Sequence, residues 1–396
     1  MITISEIANT DTRLSGNKIR VKATTSGIPE GATEYKILLK IISIDGLLVG
    51  SPFVDPIAPD ADGVAEFDIS GYVDQPVDKD FQWPIPTLYE GRWHGYQNQV
   101  YDVQLVAGER YIDTNGDLQE SYQAAFGTIF IVKGKLNHLV LAQLNDESTD
   151  WFGYFITGGR WLTYMPTTQY IHPEQPVKLW WKPPTTGLSF EIKAKAYYSD
   201  ASEKTWSGSP VMWYDVMFEF DLQPDGLGFP PIDGVNKLLY YEVWMEGTPN
   251  VEKRTFIIDW SPHETNHYLF IDNQIGGIDT VWLSGSVKYA PKGERSIVVK
   301  PFESGMGVKQ RTHYVGSSNR KRQWIINSGH KFKPELEALD ILLEVRTAWL
   351  AIPPASGSTN ISLYTIVPVI INSSELDLTN SMNDIESVDI ELIEAY

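Results

Sequence analysis

Residues 263–267 read His-Glu-Thr-Asn-His, an H-E-x-x-H spacing. On a helix, His263 and His267 would share one face and could ligate zinc, with Glu264 placed as general base. Ser261, Pro262 and Glu264 could open such a helix as cap, first residue and capping-box partner. Its continuation is poor. Thr265, Asn266 and Tyr268 are mediocre helix formers, and Tyr268-Leu269-Phe270-Ile271 is an unbroken apolar run that suits a buried strand. The elongated form of the motif would need Gly at 270, where Phe stands. The spacing therefore favours a loop entering a strand over a zinc peptidase.

A second set of candidate ligands is Asp113, Asn115 and Asp117 in "DTNGDLQE", which occupy positions one, three and five of a calcium loop. Position six is Leu118 instead of Gly, and position twelve is Ala124 instead of Glu. A polar hairpin tip is the better reading. A third set is basic: Lys309, Arg311, Arg320, Lys321, Arg322, Lys331 and Lys333. Such a cluster in an acidic chain reads either as charged strand edges and solvated loop or as an electrostatic contact with an acidic surface, including another copy of the chain. Few aromatic residues interleave with these charges, so nucleic acid is a poor partner. "RWHGY" (92–96) and "KLWWKP" (178–183) could supply a sugar-binding platform, although core and interface use of those rings is the simpler reading. The sequence has no G-x-S-x-G elbow, phosphate-cradling Gly loop or dinucleotide fingerprint. No cofactor is implied, and the chain does not read as an enzyme.

Period-two alternation dominates the elements that must position these residues. In "KIRVKAT", Ile19, Val21 and Ala23 would face a core. Ile192, Ala194 and Ala196 repeat the scheme, as do Val388, Ile390 and Leu392. One segment, about 334–345, reads as helix, with Pro334 at its start and Leu336, Leu339, Leu342 and Leu343 at helical spacing. One helix among many strands predicts an all-β protein.

The strands also repeat. "YKILLKIISID" and "AEFDIS" are followed in the same order by "FEIKAKAYYSD" and "FEFDLQ", with Tyr35 and Phe190 155 residues apart and Glu66 and Glu219 153 apart. "LNHLVLAQLND" likewise matches "TNHYLFIDNQI", pairing His138 with His267. The pattern predicts tandem sandwiches of the fibronectin or immunoglobulin kind. Expected modules are 1–133, then 134–262 (a short β segment and the second sandwich), then a C-terminal β-rich module, 263–396, that carries the helix.

The chain has 396 residues, a net charge of −19 and no Cys. Disulfides and thiol catalysis are excluded, and so acidic a chain is no general nucleic-acid binder. No run is long and apolar enough for a membrane span, and the N-terminus does not read as a secretory signal. Synthesis in a cytoplasm is expected, with any extracellular life reached through assembly into a particle.

"HYLFIDNQIGGIDTVWLSGSVKYAPKG" carries a further signal. An aromatic-apolar strand is followed by Asn273, Gly276, Gly277, Asp279 and Thr280, and a strand ending near Gly285. This resembles virion proteins of tailed phages infecting Bacteroidetes, and "GVAEFDISGYV" (63–73) is similar to the same group. Gln274-Ile275 departs from the small polar pair of that pattern. The resemblance implies a structural virion component of tail or baseplate type, with other virion proteins and copies of itself as partners. The alternative it leaves is a tail protein that binds a host receptor or glycan. Gly276, Gly277 and Asp279 are expected to serve a tight turn between two strands.

Overall fold

Val21 and Ala23 are fully buried while Arg20 is exposed, so the alternation of "KIRVKAT" is a strand with one face in a core. Ile192, Ala194 and Ala196, and Val388, Ile390 and Leu392, are buried in the same manner. The structure, a computed structural model, describes residues 2–7, 12–43, 52–74, 93–96, 100–136, 138–146, 149–184, 190–209, 216–247, 249–263, 265–299, 313–345, 347–354, 363–373 and 385–395. It is all-β with a short helix near the C-terminus.

Two compact units emerge from the contacts: Met1–Thr168 with Pro176–Ile258 and Asp272–Asp279, and Gln169–Gln175 with Asp259–Ile271 and Thr280–Tyr396. The first unit holds two sandwiches. The first sandwich uses β1 (Ile2–Ser5), β2 (Thr12–Leu14), β3 (Arg20–Thr25), β4 (Thr33–Ser43), β5 (Phe53–Ile57) and β6 (Val64–Asp68), then β8 (Val100–Ile112), β9 (Leu118–Tyr122) and β10 (Phe126–Val132). A sheet of order β1-β3-β6 covers one of order β2-β10-β8-β4-β5, with β9 added to β8. Val21, Phe67, Ile37, Leu39, Val103 and Ile131 form part of the core between them. Burying one such side chain contributes about 1.5–3 kcal/mol, which is why an alternating sequence settles in a single register.

The second sandwich uses β7 (Trp93–Tyr96), taken from the first half of the chain. It adds β12 (Lys178–Trp181), β13 (Glu191–Tyr198), β14 (Glu203–Gly208), β15 (Met217–Asp221), β16 (Ile232–Asp233), β17 (Asn236–Glu246) and β18 (Val251–Ile258). Its large sheet runs β18-β17-β13-β14, the order of β10-β8-β4-β5 in the first sandwich. A segment ending in β11 (Thr168–Ile171) keeps pace with β18: Thr255 N donates to Thr167 O at 2.8 Å, and Asp259 N to Ile171 O at 2.9 Å. That direction is parallel, as β2 is to β10. Individual bonds repeat as well. Ile69 N donates to Ile19 O (3.0 Å) and Leu222 N to Val177 O (2.8 Å). The buried Tyr101 hydroxyl donates to Val73 O, and the buried Tyr241 hydroxyl to Leu222 O. The small sheets differ in their third strand. In the first sandwich β1 flanks β3, whereas in the second β7 flanks β15, pairing Phe220 with Trp93 and Met217 with Tyr96.

One part of the repeat does not hold. The segment around His138 is an α-helix, His138–Asp146, whereas its sequence match begins a strand at His267. Ala142, Gln143 and the leucines are good helix formers, while the Tyr-Leu-Phe-Ile run packs on both faces.

The second unit is built on β19 (His267–Asp272), β20 (Ile278–Leu283), β21 (Val287–Tyr289), β24 (Gln323–Asn327), β26 (Ala348–Ile352), β27 (Thr365–Ile371) and β29 (Asp389–Glu394). The sheet order is β20-β19-β26-β27-β29-β24-β21. β22 (Lys292–Val299) pairs with β23 (His313–Lys321) in a separate ribbon, and β25 (Lys331–Phe332) pairs with β28 (Ile385–Glu386). The expected helix is α-helical only over Lys333–Ala338 and continues as a 3₁₀ turn over Leu339–Leu343. Glu335 reaches back to the Phe332 N–H and so satisfies one end. Leu336, Leu339 and Leu342 are buried and Leu343 is exposed. Ile341 is buried as well, so the 3₁₀ turn faces Ile341 and Leu342 inward and leaves Leu343 out, which corrects the inclusion of Leu343 in the buried stripe.

Candidate functional site

The Asn273–Gly277 turn joins β19 to β20, as the double glycine predicts, but it is buried instead of lying at a surface tip. Asn273 organises it. Its Oδ1 accepts from Ile275 N (3.2 Å) and Gly277 N (2.9 Å), and its Nδ2 donates to Leu162 O (2.7 Å). Lys135 N donates to Gln274 O at 2.6 Å, and Trp151 Nε1 to Ile275 O at 3.2 Å. The positive φ values fall on Gln274 (61°) and Gly276 (113°). Gly277 is needed for a different reason: a Cβ there would stand 2.5 Å from Leu162 O. A Cβ at Gly276 would meet Met217 Cε at 3.1 Å and Val132 Cγ1 at 3.3 Å, so the turn lies where the two sandwiches approach each other. Lys182, also buried there, has its ammonium 5.6 Å from the Phe130 ring and 6.0 Å from the Phe152 ring.

Asp279 lies within β20, not in the turn. Burial pushes its carboxyl up to about 6, against hydrogen bonds from Thr163 and Tyr164 N and the charge of Arg254. Arg254 is itself buried, with Nη1 donating to Met165 O (2.8 Å) and Pro166 O (3.0 Å) and Nη2 to Glu252 (3.1 Å). Thr280 is buried on the same strand.

The H-E-x-x-H residues do not share a helix. His263 lies in a loop, Glu264 is outside the described residues, and His267 opens β19. The His263 ring stands edge-on to Trp282, with centroids 4.4 Å apart, and its Nε2 is 3.1 Å from Asp259 Oδ2. That approach lacks hydrogen-bond alignment, and the nitrogen has no hydrogen-bond partner among the described residues. The neighbour brought to Trp282 from elsewhere is His172, at 5.6 Å. Its Nε2 lies 3.2 Å from Asn266 Nδ2, and its Nδ1 accepts from Glu174 N at 3.2 Å. Trp282 Nε1 donates to Asn266 Oδ1 at 3.2 Å, which fixes that amide. Burial holds both His172 and His267 down to about 4, and His172 is lowered further by the nearby His263. Among the described residues, no group of three or more His, Asp or Glu is arranged to hold a metal ion. His172, Asn266, Arg254 and Trp282 had no signal in local spacing, since their partners are remote in sequence.

The calcium-like residues form a hairpin tip. Asp113 Oδ1 accepts from Asn115 N (2.9 Å) and Asp117 N (3.0 Å), and Oδ2 accepts from Gln119 Nε2 (2.9 Å). Asp60 organises Asp62, Gly63 and Val64 in the same way. Trp93, Trp180 and Trp181 are buried, which places these tryptophans in cores and leaves them out of any sugar platform.

The basic cluster is dispersed. Lys309 and Arg311 lie outside the described residues, as does the side chain of Arg320, while Lys321 ends β23. Arg322 is already committed to Glu394 through its Nε at 2.9 Å, and this pairing lowers the Glu394 carboxyl. Lys331 is not a surface residue. It is buried with its ammonium 4.7 Å from the Trp282 ring, because β25 turns it inward, and burial lowers its pKa. Lys333 is exposed and loosely paired with Glu337 at 3.9 Å. No helix of the described residues is long and apolar enough to cross a membrane. No protein-family model matches the chain, and no curated protein matches its sequence.

Proposed function

We propose that this chain is a structural subunit of a tailed-phage virion, of tail or baseplate type, acting through ordered contact with other virion proteins and with its own copies. One observation carries the reading. The motif on which the phage resemblance rests, Asn273 to Asp279, spends its hydrogen-bonding groups inside the molecule. It wedges two duplicated sandwiches together, which is work for a building block that must keep its shape. The test is to purify particles and locate the chain by mass spectrometry and electron cryomicroscopy. The chain should be present at a fixed copy number with interfaces above about 2,000 Å². A chain that stays a free monomer, absent from every particle, overturns the proposal.

A second reading, binding of a host glycan, draws on the outer face of the second large sheet. Tyr197 and Tyr240 stack there at 4.4 Å, and Trp244 lies on the same strand as Tyr240. Lys195 and Lys253 cover two of these rings at 4.9 and 4.8 Å. Glycan binding lost in Trp244→Ala with the fold intact would favour it over assembly.

A further inference from the structure

β22 and β23 run antiparallel from Lys292↔Lys321 to Val299↔His313, and among the described residues neither strand has a second neighbour. At about 3.4 Å per residue each spans nearly 30 Å. A lone two-stranded ribbon of this kind is marginal in water. Among the described residues its outer edges have no ladder partner, and an open edge is a ready template for another strand. Neither strand contains Pro. The two strands hold four Lys or Arg against one Glu, in a chain whose net charge is −19. Charged residues on a ribbon can simply discourage pairing. A ribbon of net positive charge on an acidic protein also selects an acidic partner.

An edge of opposite character exists on the same chain. β9 is exposed along its whole length and, among the described residues, pairs only with β8. Asp113, Asp117, Glu109 and Glu120 lie along this hairpin, with Arg110 as its basic residue. Leu118 is 57% exposed and Tyr122 38%, and the Tyr122 ring lies 6.0 Å from Phe53, itself 56% exposed. An open edge with acidic flanks and uncovered apolar groups is a site for strand addition.

We infer that the β22–β23 ribbon of one copy adds to the β9 edge of a second copy, with the basic ribbon matched to the acidic hairpin. This rests on the assembly reading above and names its contact. The two surfaces are different, so the contact is head-to-tail and generates a ring or a helical array, not a closed dimer.

Charge exchange tests it. Arg320→Glu with Lys321→Glu should reduce self-association and incorporation into particles at least tenfold, and so should Asp117→Lys with Glu120→Lys. A chain carrying all four substitutions should recover, because the charges are again opposite. Thermal unfolding of each variant controls for folding. As the chain has no Cys, Ser121→Cys with Ser318→Cys gives an independent readout, with oxidation expected to link successive copies covalently. Unchanged association in the reversed variants, no recovery in the fourfold variant, or disulfides formed only within one chain would each overturn the ribbon contact. Wild-type chain still found in particles would then leave the assembly reading intact, whereas wild-type chain absent from particles would remove that reading itself.

Discussion

Burial, reinforced by the nearby His263, holds the His172 imidazole neutral, and its polar neighbours are arranged for an uncharged ring. Glu174 N–H points at Nδ1, and the Asn266 amide, fixed by Trp282, presents its NH₂ to Nε2. A neutral ring can accept only one of these donors, and a protonated ring can accept neither. His267 is buried with an unpartnered Nδ1. Both titrate near 4 in the fold, against about 6.5 when unfolded. Between those values the unfolded chain binds protons that the folded chain refuses. Stability is therefore greatest above about pH 6.5 and falls as pH drops toward 4, by up to about 3 kcal/mol for each ring. Asp279 works in the opposite sense. Its carboxyl is raised to about 6, so its burial penalty is relieved as pH falls below that value. Hydrogen exchange corrected for intrinsic rates should show β19 amides losing protection from pH 7 to pH 5, with those of Asn273–Asp279 unaffected. His267→Leu should reduce that loss, and an unchanged profile would refute the assignment.

The Asn273 turn gives a second test at the same scale. Asn273→Ala strands two buried N–H groups and the Leu162 carbonyl, so a loss of about 3 kcal/mol or more is expected in denaturant unfolding. Gly277→Ala forces a Cβ against Leu162 O and should cost about 1–3 kcal/mol. Gly228→Ala, also at positive φ (76°) but in open space, should cost about 1 kcal/mol.

At the scale of elements, the segment Lys333–Leu343 separates local propensity from packing. Its sequence supports a continuous α-helix, yet the last turn is 3₁₀, with Leu339, Ile341 and Leu342 buried and Leu343 exposed. Leu342→Ala should therefore destabilise by about 2–5 kcal/mol, and Leu343→Ala by less than about 0.5 kcal/mol. A continuous α-helix would make the two losses similar. The hairpin tips at Asp60 and Asp113 are the opposite case. Asp followed three residues later by Gly was enough to specify them, because an Asx side chain and one left-handed glycine close the turn with no remote partner.

Across the molecule, the two sandwiches share a strand order, and the use of β7 by the second accounts for why they are not interchangeable. The second sandwich takes its third small-sheet strand from residues 93–96, so residues 175–260 alone would leave β15 with an uncovered edge. A fragment of residues 175–260 should aggregate or fail to fold. Calorimetry of the full chain, which keeps both β7 and the Asn273 turn, should show the two sandwiches unfolding in one transition. Two separable transitions would show that β7 and the Asn273 turn contribute little.

The all-β class, the inward residues of each alternating strand and the repeat were legible because they depend on side-chain periodicity, which neighbouring residues set. The Asn-x-x-Gly-Gly-x-Asp turn was legible as a turn for the same reason. Its destination was not, since burial against Leu162, Val132 and Met217 depends on residues more than a hundred positions away and on others about sixty away. Sequence reading also placed Lys331 at a surface and left His172 unnoticed, and paired His138 with His267 as though both opened the same element. In each case the composition of a short window was read correctly and its partners were not. Strand pairing, the meeting of His172 with Trp282 and the inward turn of Lys331 are long-range choices, made by whichever arrangement buries the most apolar surface while leaving the fewest polar groups unsatisfied.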